Sequence, residues 1–175
     1  YLKDSGGLSL NVGGPFYVHN NNINGNHKFG VQLQAINNSI IENNTVMDNG
    51  AGIRVRNYIY GGRFFSIHEI QSGNTVCNNN LIGNLPNVII ESAYPYFIDK
   101  DVIGNGTDVI SWDNGKVGNY WSDYSGNGSY VIDQNNVDHH PLTQQVDISV
   151  PAPTPTSTQP NAILILPIAV TFVIL

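Results

Sequence analysis

The stretch Ile41-Glu42-Asn43-Asn44-Thr45-Val46 decides the fold, because the chain contains it three times. The other copies are Val18-His19-Asn20-Asn21-Asn22-Ile23, starting 23 residues earlier, and Val76-Cys77-Asn78-Asn79-Asn80-Leu81, starting 35 residues later. Each has an aliphatic residue, a variable one, an Asn pair, a small polar residue and a second aliphatic. A second phrase keeps step with it: Gly7-Leu8-Ser9-Leu10, Gly30-Val31-Gln32-Leu33, Gly52-Ile53-Arg54-Val55 and, more loosely, Asn87-Val88-Ile89-Ile90. Two phrases repeated in one order, 22 to 23 residues apart, mark a structural unit used again and again.

The apolar runs are three or four residues long, rich in Val and Ile, and alternate as in Val31-Gln32-Leu33, which is a strand period. Between them lie Asn-Asn, Asp48-Asn49-Gly50 or Gly25-Asn26, residues that tolerate the left-handed backbone of a sharp corner. One unit therefore reads as strand Ser39-Ile40-Ile41, corner, strand Thr45-Val46-Met47, corner, strand Gly52-Ile53-Arg54-Val55, corner. The fold class predicted is all-β: a parallel β-helix with three short strands per coil of 22–23 residues. Coils stack about 4.8 Å apart, so equivalent Asn side chains can hydrogen-bond in columns, which accounts for 25 Asn in 175 residues. Inward Val, Ile and Leu stack likewise, and no coil buries its apolar face alone.

Charged residues make up only 11% of the chain, against roughly 25% in ordinary soluble domains, and the net charge is −6. Such a chain lacks the basic stripe that nucleic acid requires, so no nucleic-acid partner is expected. Cys77 is the single cysteine and excludes an internal disulfide. The chain opens in mid-pattern, which predicts further coils and a targeting segment upstream.

Residues 1–111 are assigned to coils, with one interruption. From Leu10 to Val18 and from Leu33 to Ile41 the step is eight residues, but from Val55 to Val76 it is 21. The excess forms an insert within residues 56–73. Insertions leave a solenoid as loops on one face, often the binding face. Tyr58, Tyr60, Arg63, Phe64, Phe65, His68 and Glu69 are the candidate ligand-binding residues there, aromatic and polar groups suited to a sugar or a peptide. The competing reading has Phe64 and Phe65 folding back over the coil.

After the coils come Trp112-Asp113-Asn114-Gly115, Gly118-Asn119-Tyr120-Trp121-Ser122-Asp123-Tyr124, Tyr130-Val131-Ile132-Asp133 and Asn136-Val137-Asp138-His139-His140-Pro141-Leu142. In that order these stretches resemble the C-terminal end of NosD-like, CASH-type β-helix proteins, and the Asn-pair units are similar to the parallel β-helix repeat of the same family. The resemblance covers roughly residues 7–143. It departs where only Ser125-Gly126-Asn127-Gly128-Ser129 stands in place of a longer Asp/Gly-rich loop. It implies a right-handed β-helix in an extracytoplasmic location, and it raises copper as the alternative cofactor of a metallocentre assembly factor. The soft ligands for copper would be His19, Met47 and Cys77, but coils about 4.8 Å apart separate His19 from Cys77 by about 10 Å. No metal site and no cofactor are therefore expected.

Residues 112–143 are assigned to an aromatic C-terminal cap built on Trp112, Tyr120, Trp121, Asp123, Tyr124 and Asp138, which covers the last coil and its free edge. A Pro/Thr-rich linker follows over 144–161, then an apolar run over 162–175 that reads as a truncated transmembrane helix anchoring the protein to the membrane. Asn37, Asn105 and Asn127 are candidate glycosylation sites; a fourth sequon, Asn43, is discounted as a stacked corner residue. No two acids recur on one strand face, so no catalytic residues are assigned. The expected function is a membrane-anchored surface β-helix that binds or presents a carbohydrate, with polysaccharide or cell-surface glycan as partner. The other alternative is a polysaccharide lyase or hydrolase whose site lies in upstream coils.

Overall fold

The computed structural model describes residues 5–56, 71–91 and 110–148, together with the backbone of 58–62, 65–69 and 163–165. The first coil supplies strands β1 (Leu8–Gly13), β2 (Phe16–His19) and β3 (Asn22–Asn24); the second supplies β4 (Val31–Ile36), β5 (Ile40–Glu42) and β6 (Thr45–Met47). The third begins with β7 (Ile53–Arg56), is interrupted by β8 (Tyr58–Gly62) and β9 (Phe65–Glu69), and resumes with β10 (Thr75–Cys77) and β11 (Asn80–Ile82). Then come β12 (Val88–Glu91), β13 (Tyr120–Trp121), β14 (Tyr130–Val131), β15 (Val137–Asp138) and β16 (Ile163–Ile165).

The strands stack into three parallel sheets: β1-β4-β7-β12, β16-β2-β5-β10 and β3-β6-β11-β13. This is a parallel β-helix, and the register is the one the repeats give. Val18 pairs with Ile41 and Ile41 with Val76; Ile23 pairs with Val46 and Val46 with Leu81. Inward residues of all three sheets form one core that includes Leu33, Ile41, Val46, Ile53, Val76 and Leu81.

The corners show why the sequence is so rich in asparagine. Asn20, Asn43 and Asn78 have φ of 57°, 54° and 55°, in the left-handed region that Asn tolerates. The next residue is the one that bonds between coils. Asn21 donates from both its backbone N–H and its side chain to Asn44 Oδ1, Asn44 does the same to Asn79, and Asn79 to Asn119. A second column runs Asn26, Asn49, Asn84. The Asn-Asn, Asp-Asn and Gly-Asn pairs are thus one device: a residue that turns the chain, then an amide that ties the coils. Asn43 belongs to the turning class. It is buried, and its Oδ1 accepts from Asn78 Nδ2, while the ladder amide is Asn44.

Both columns end on carboxylates from residues beyond the coils. Asp138 Oδ2 accepts from Asn119 N at 2.7 Å and from Trp121 Nε1 at 2.9 Å. Asn84 donates to Asn87, and Asn87 to Asp123 Oδ1 at 2.9 Å. Gly118 permits the first arrangement, because a Cβ there would collide with the Asp138 carboxylate. Strand β13 pairs with β11, and the buried Trp121 indole joins the core beside Trp112, with Tyr130 stacked on it at 4.2 Å. Tyr124 meets the Tyr130 ring edge-on, and Tyr120 is half-buried on β13.

One expectation is corrected. The apolar segment over 162–175 was expected to be a transmembrane helix, but its described part, β16, is a strand parallel to β2, with Ile163 opposite Phe16 and Ile165 opposite Val18. The edge of β2 offers unpaired N–H and C=O groups, and an Ile-rich segment satisfies them as a strand. Among the described residues no helix is long and apolar enough to cross a membrane. Residues 166–175, like most of the linker, lie outside the described residues.

Candidate functional site

Strand alternation sends Ile53 and Val55 into the core and leaves Arg54 and Arg56 half-buried on the outer side of the first sheet. Register extends this into two columns: Ser9, Gln32, Arg54 and Ile89, and beside it Asn11, Gln34, Arg56 and Glu91. The columns are hydrogen-bonded across the coils. Gln32 Nε2 donates to Ser9 Oγ at 3.0 Å and to Gln34 Oε1 at 3.1 Å. Glu91 holds both arginines. Arg54 Nη2 reaches its two oxygens at 2.8 Å each, and Arg56 Nε lies 2.9 Å from Oε2. Arg54 also lies over the Phe29 ring, 5.9 Å from its centroid.

The insert leaves the coil directly after Arg56 as an antiparallel hairpin of β8 and β9. In this hairpin Tyr58 is paired with Glu69, Ile59 with His68, Tyr60 with Ile67 and Gly62 with Phe65. Arg63 and Phe64 lie outside the described residues. Gln71 anchors the return, donating to Leu33 O and Arg56 O. Glu91 carries no signal in the local sequence, because its role depends on partners 35 or more residues away.

The copper candidates do not converge. His19 and Cys77 share an outward column of the second sheet, but Glu42 stands between them, and Met47 is on the third sheet. Neither ring nitrogen of His19 has a hydrogen-bond partner among the described residues, whereas Glu42 accepts from the Tyr17 hydroxyl. Burial first, then the nearby Glu42 carboxylate, pushes the Cys77 thiol up to about 11, which opposes the thiolate a soft metal needs. Among the described residues no three His, Cys, Asp or Glu side chains are grouped to hold a metal. These residues do not fit a copper centre.

Of the glycosylation candidates, Asn127 is exposed on a turn, Asn37 accepts at Oδ1 from the Ser72 backbone and hydroxyl, and Asn105 lies outside the described residues.

No curated protein and no solved structure matches the chain. A family model described as "Periplasmic copper-binding protein (NosD)" matches residues 3–126, from the first coil through the Trp121 segment. That match spans more than two thirds of the 175 residues and coincides with the stacked parallel sheets, so the chain belongs to the NosD family.

Proposed function

We propose that this protein is a non-catalytic extracytoplasmic β-helix that binds carbohydrate along the outer side of its first sheet and the adjoining hairpin. The family's periplasmic description supports the location. The ligand reading is carried by one observation: planar amide, guanidinium and carboxylate groups in register over the four strands of one sheet, next in the chain to a hairpin whose strands contain Tyr58, Tyr60 and Phe65. Sugar hydroxyls take paired hydrogen bonds from such planar groups, and pyranose faces pack on aromatic rings. The coils rise about 4.8 Å each, a step close to the length of one pyranose residue, so a linear glycan lying along the solenoid axis meets similar groups at each sugar.

The test is a glycan-array screen of the intact chain against a deletion of residues 57–69, which restores the eight-residue step between coils. Loss of signal from a deletion protein that remains folded supports the reading. A folded deletion protein with an unchanged signal places binding elsewhere and overturns it.

A further inference from the structure

The same face specifies more than a neutral sugar. The chain carries 13 acidic and seven basic residues, so most of its surface repels anions. On the outer side of the first sheet, among the described residues, the balance is reversed: two guanidinium groups face one carboxylate, that of Glu91. Arg54 is committed, with its terminal nitrogen bound to both Glu91 oxygens and its guanidinium over the Phe29 ring. Arg56 meets Glu91 through Nε, and its side chain is 38% exposed. Its two terminal nitrogens have no hydrogen-bond partner among the described residues. Glu91 therefore fixes the Arg56 stem and leaves its outer fork open, in the geometry that takes a carboxylate or an oxyanion in two parallel bonds.

We infer that this fork binds the anionic group of an acidic sugar, either a uronate carboxylate or a sulfate ester, in a glycan lying along the first sheet. The inference rests on the carbohydrate reading above and adds its charge class. The placement is specific. Gln34, one coil away in the same column, serves the hydroxyls of the adjacent sugar, and Arg56 reads the charge. The negative field of the rest of the chain is screened within about 8 Å at physiological ionic strength, so the local excess positive charge governs contact.

Three oligosaccharides of equal length separate the possibilities by calorimetric titration of the full chain: a neutral hexose oligomer, an oligouronate and a sulfated oligomer. The acidic ligands should bind about tenfold or more tighter than the neutral one, the yield of one charge-assisted bidentate contact. Whether uronate or sulfate gains more identifies the anion. Arg56→Gln should remove the preference, bringing acidic ligands down to the affinity of the neutral one, and Arg56→Lys should restore only part of it. Glu91→Gln, which frees the second arginine, should tighten acidic ligands and not the neutral one. Equal binding of neutral and acidic oligomers, or an Arg56→Gln protein with its preference intact, overturns the charge inference and leaves carbohydrate binding standing. Failure of all three oligomers to bind overturns both.

Discussion

At the scale of single residues, stability is concentrated in side chains that serve neighbouring coils at once. Asn79 is fully buried. It donates to Ile41 O, Cys77 O and Asn119 Oδ1, and accepts twice from Asn44. Asn79→Ala strands several buried groups at about 1–3 kcal/mol each, so it should cost about 3 kcal/mol or more. Asn21, half-buried in the first coil, its side chain bonded only onward to Asn44 and to His19 O among the described residues, strands fewer, and Asn21→Ala should cost about 1 kcal/mol or less. Urea midpoints of the two variants check the contrast; equal losses would mean the column does not act as a tie. The carboxylates separate by sign. Asp113 is penalised by burial, yet the backbone N–H groups of His139 and Gly115 and the imidazoles of His140 and His139 hold its carboxyl below its ordinary 3.8. Its contribution is present above that value and lost as pH falls through the folded one. Burial raises the Asp138 carboxyl against the N–H donors around it, so its contribution is full below 3.8 and lost as pH rises through the folded value. On acidification, the advantage of the parent over Asp113→Asn should therefore shrink, and that over Asp138→Asn should grow, in urea midpoints measured side by side.

At the scale of elements, the hairpin and the coils are separable in construction. The β8–β9 pair closes on itself as an antiparallel ribbon, and the coil resumes through Gln71, Ser72 and Asn74, which bond back to the preceding coil. The 57–69 deletion keeps those three residues, so its melting temperature should stay within a few degrees of the parent's, by calorimetry. Unfolding would show the ribbon to be part of the packing. Strand positions were legible because alternation and the αL-plus-amide pairs are local signals, and three strands of a coil follow from them directly. Other features were not. The corner between the first and second sheets is turned by Val12 and Ala35 at φ of 44° and 51°, residues with no turn signature in sequence. The strand β16 follows from an edge that no local pattern reveals. On the candidate face the outward positions of the strands could be read, but the joining of Arg54 and Arg56 through Glu91 depends on the offset between coils and needed coordinates.

At the scale of the whole molecule, the solenoid is a stack whose last coil must meet something other than another coil. Here the Asn columns end on Asp138 and Asp123, and Trp112 and Trp121 extend the core beyond Val76 and Leu81. We read residues 112–143 as the element that closes this end. Replacing an Asn with an Asp at the end of a column removes the amide donor that the next coil would use, and the aromatic stack covers the apolar cross-section. Opening that end should have two consequences at once. Trp121→Ala removes an indole that is 1% exposed, stacked on Tyr130 and bonded to Asp138, and should cost about 3–5 kcal/mol. It also loosens β13 from β11, so the parallel edge of the third sheet becomes available to a second copy. Sedimentation of the variant should then show concentration-dependent oligomers that the parent lacks, alongside a lowered melting temperature. A variant that remains monomeric with an unchanged melting temperature but no longer binds glycan would identify Trp121 as a ligand platform and refute its role in closing the stack.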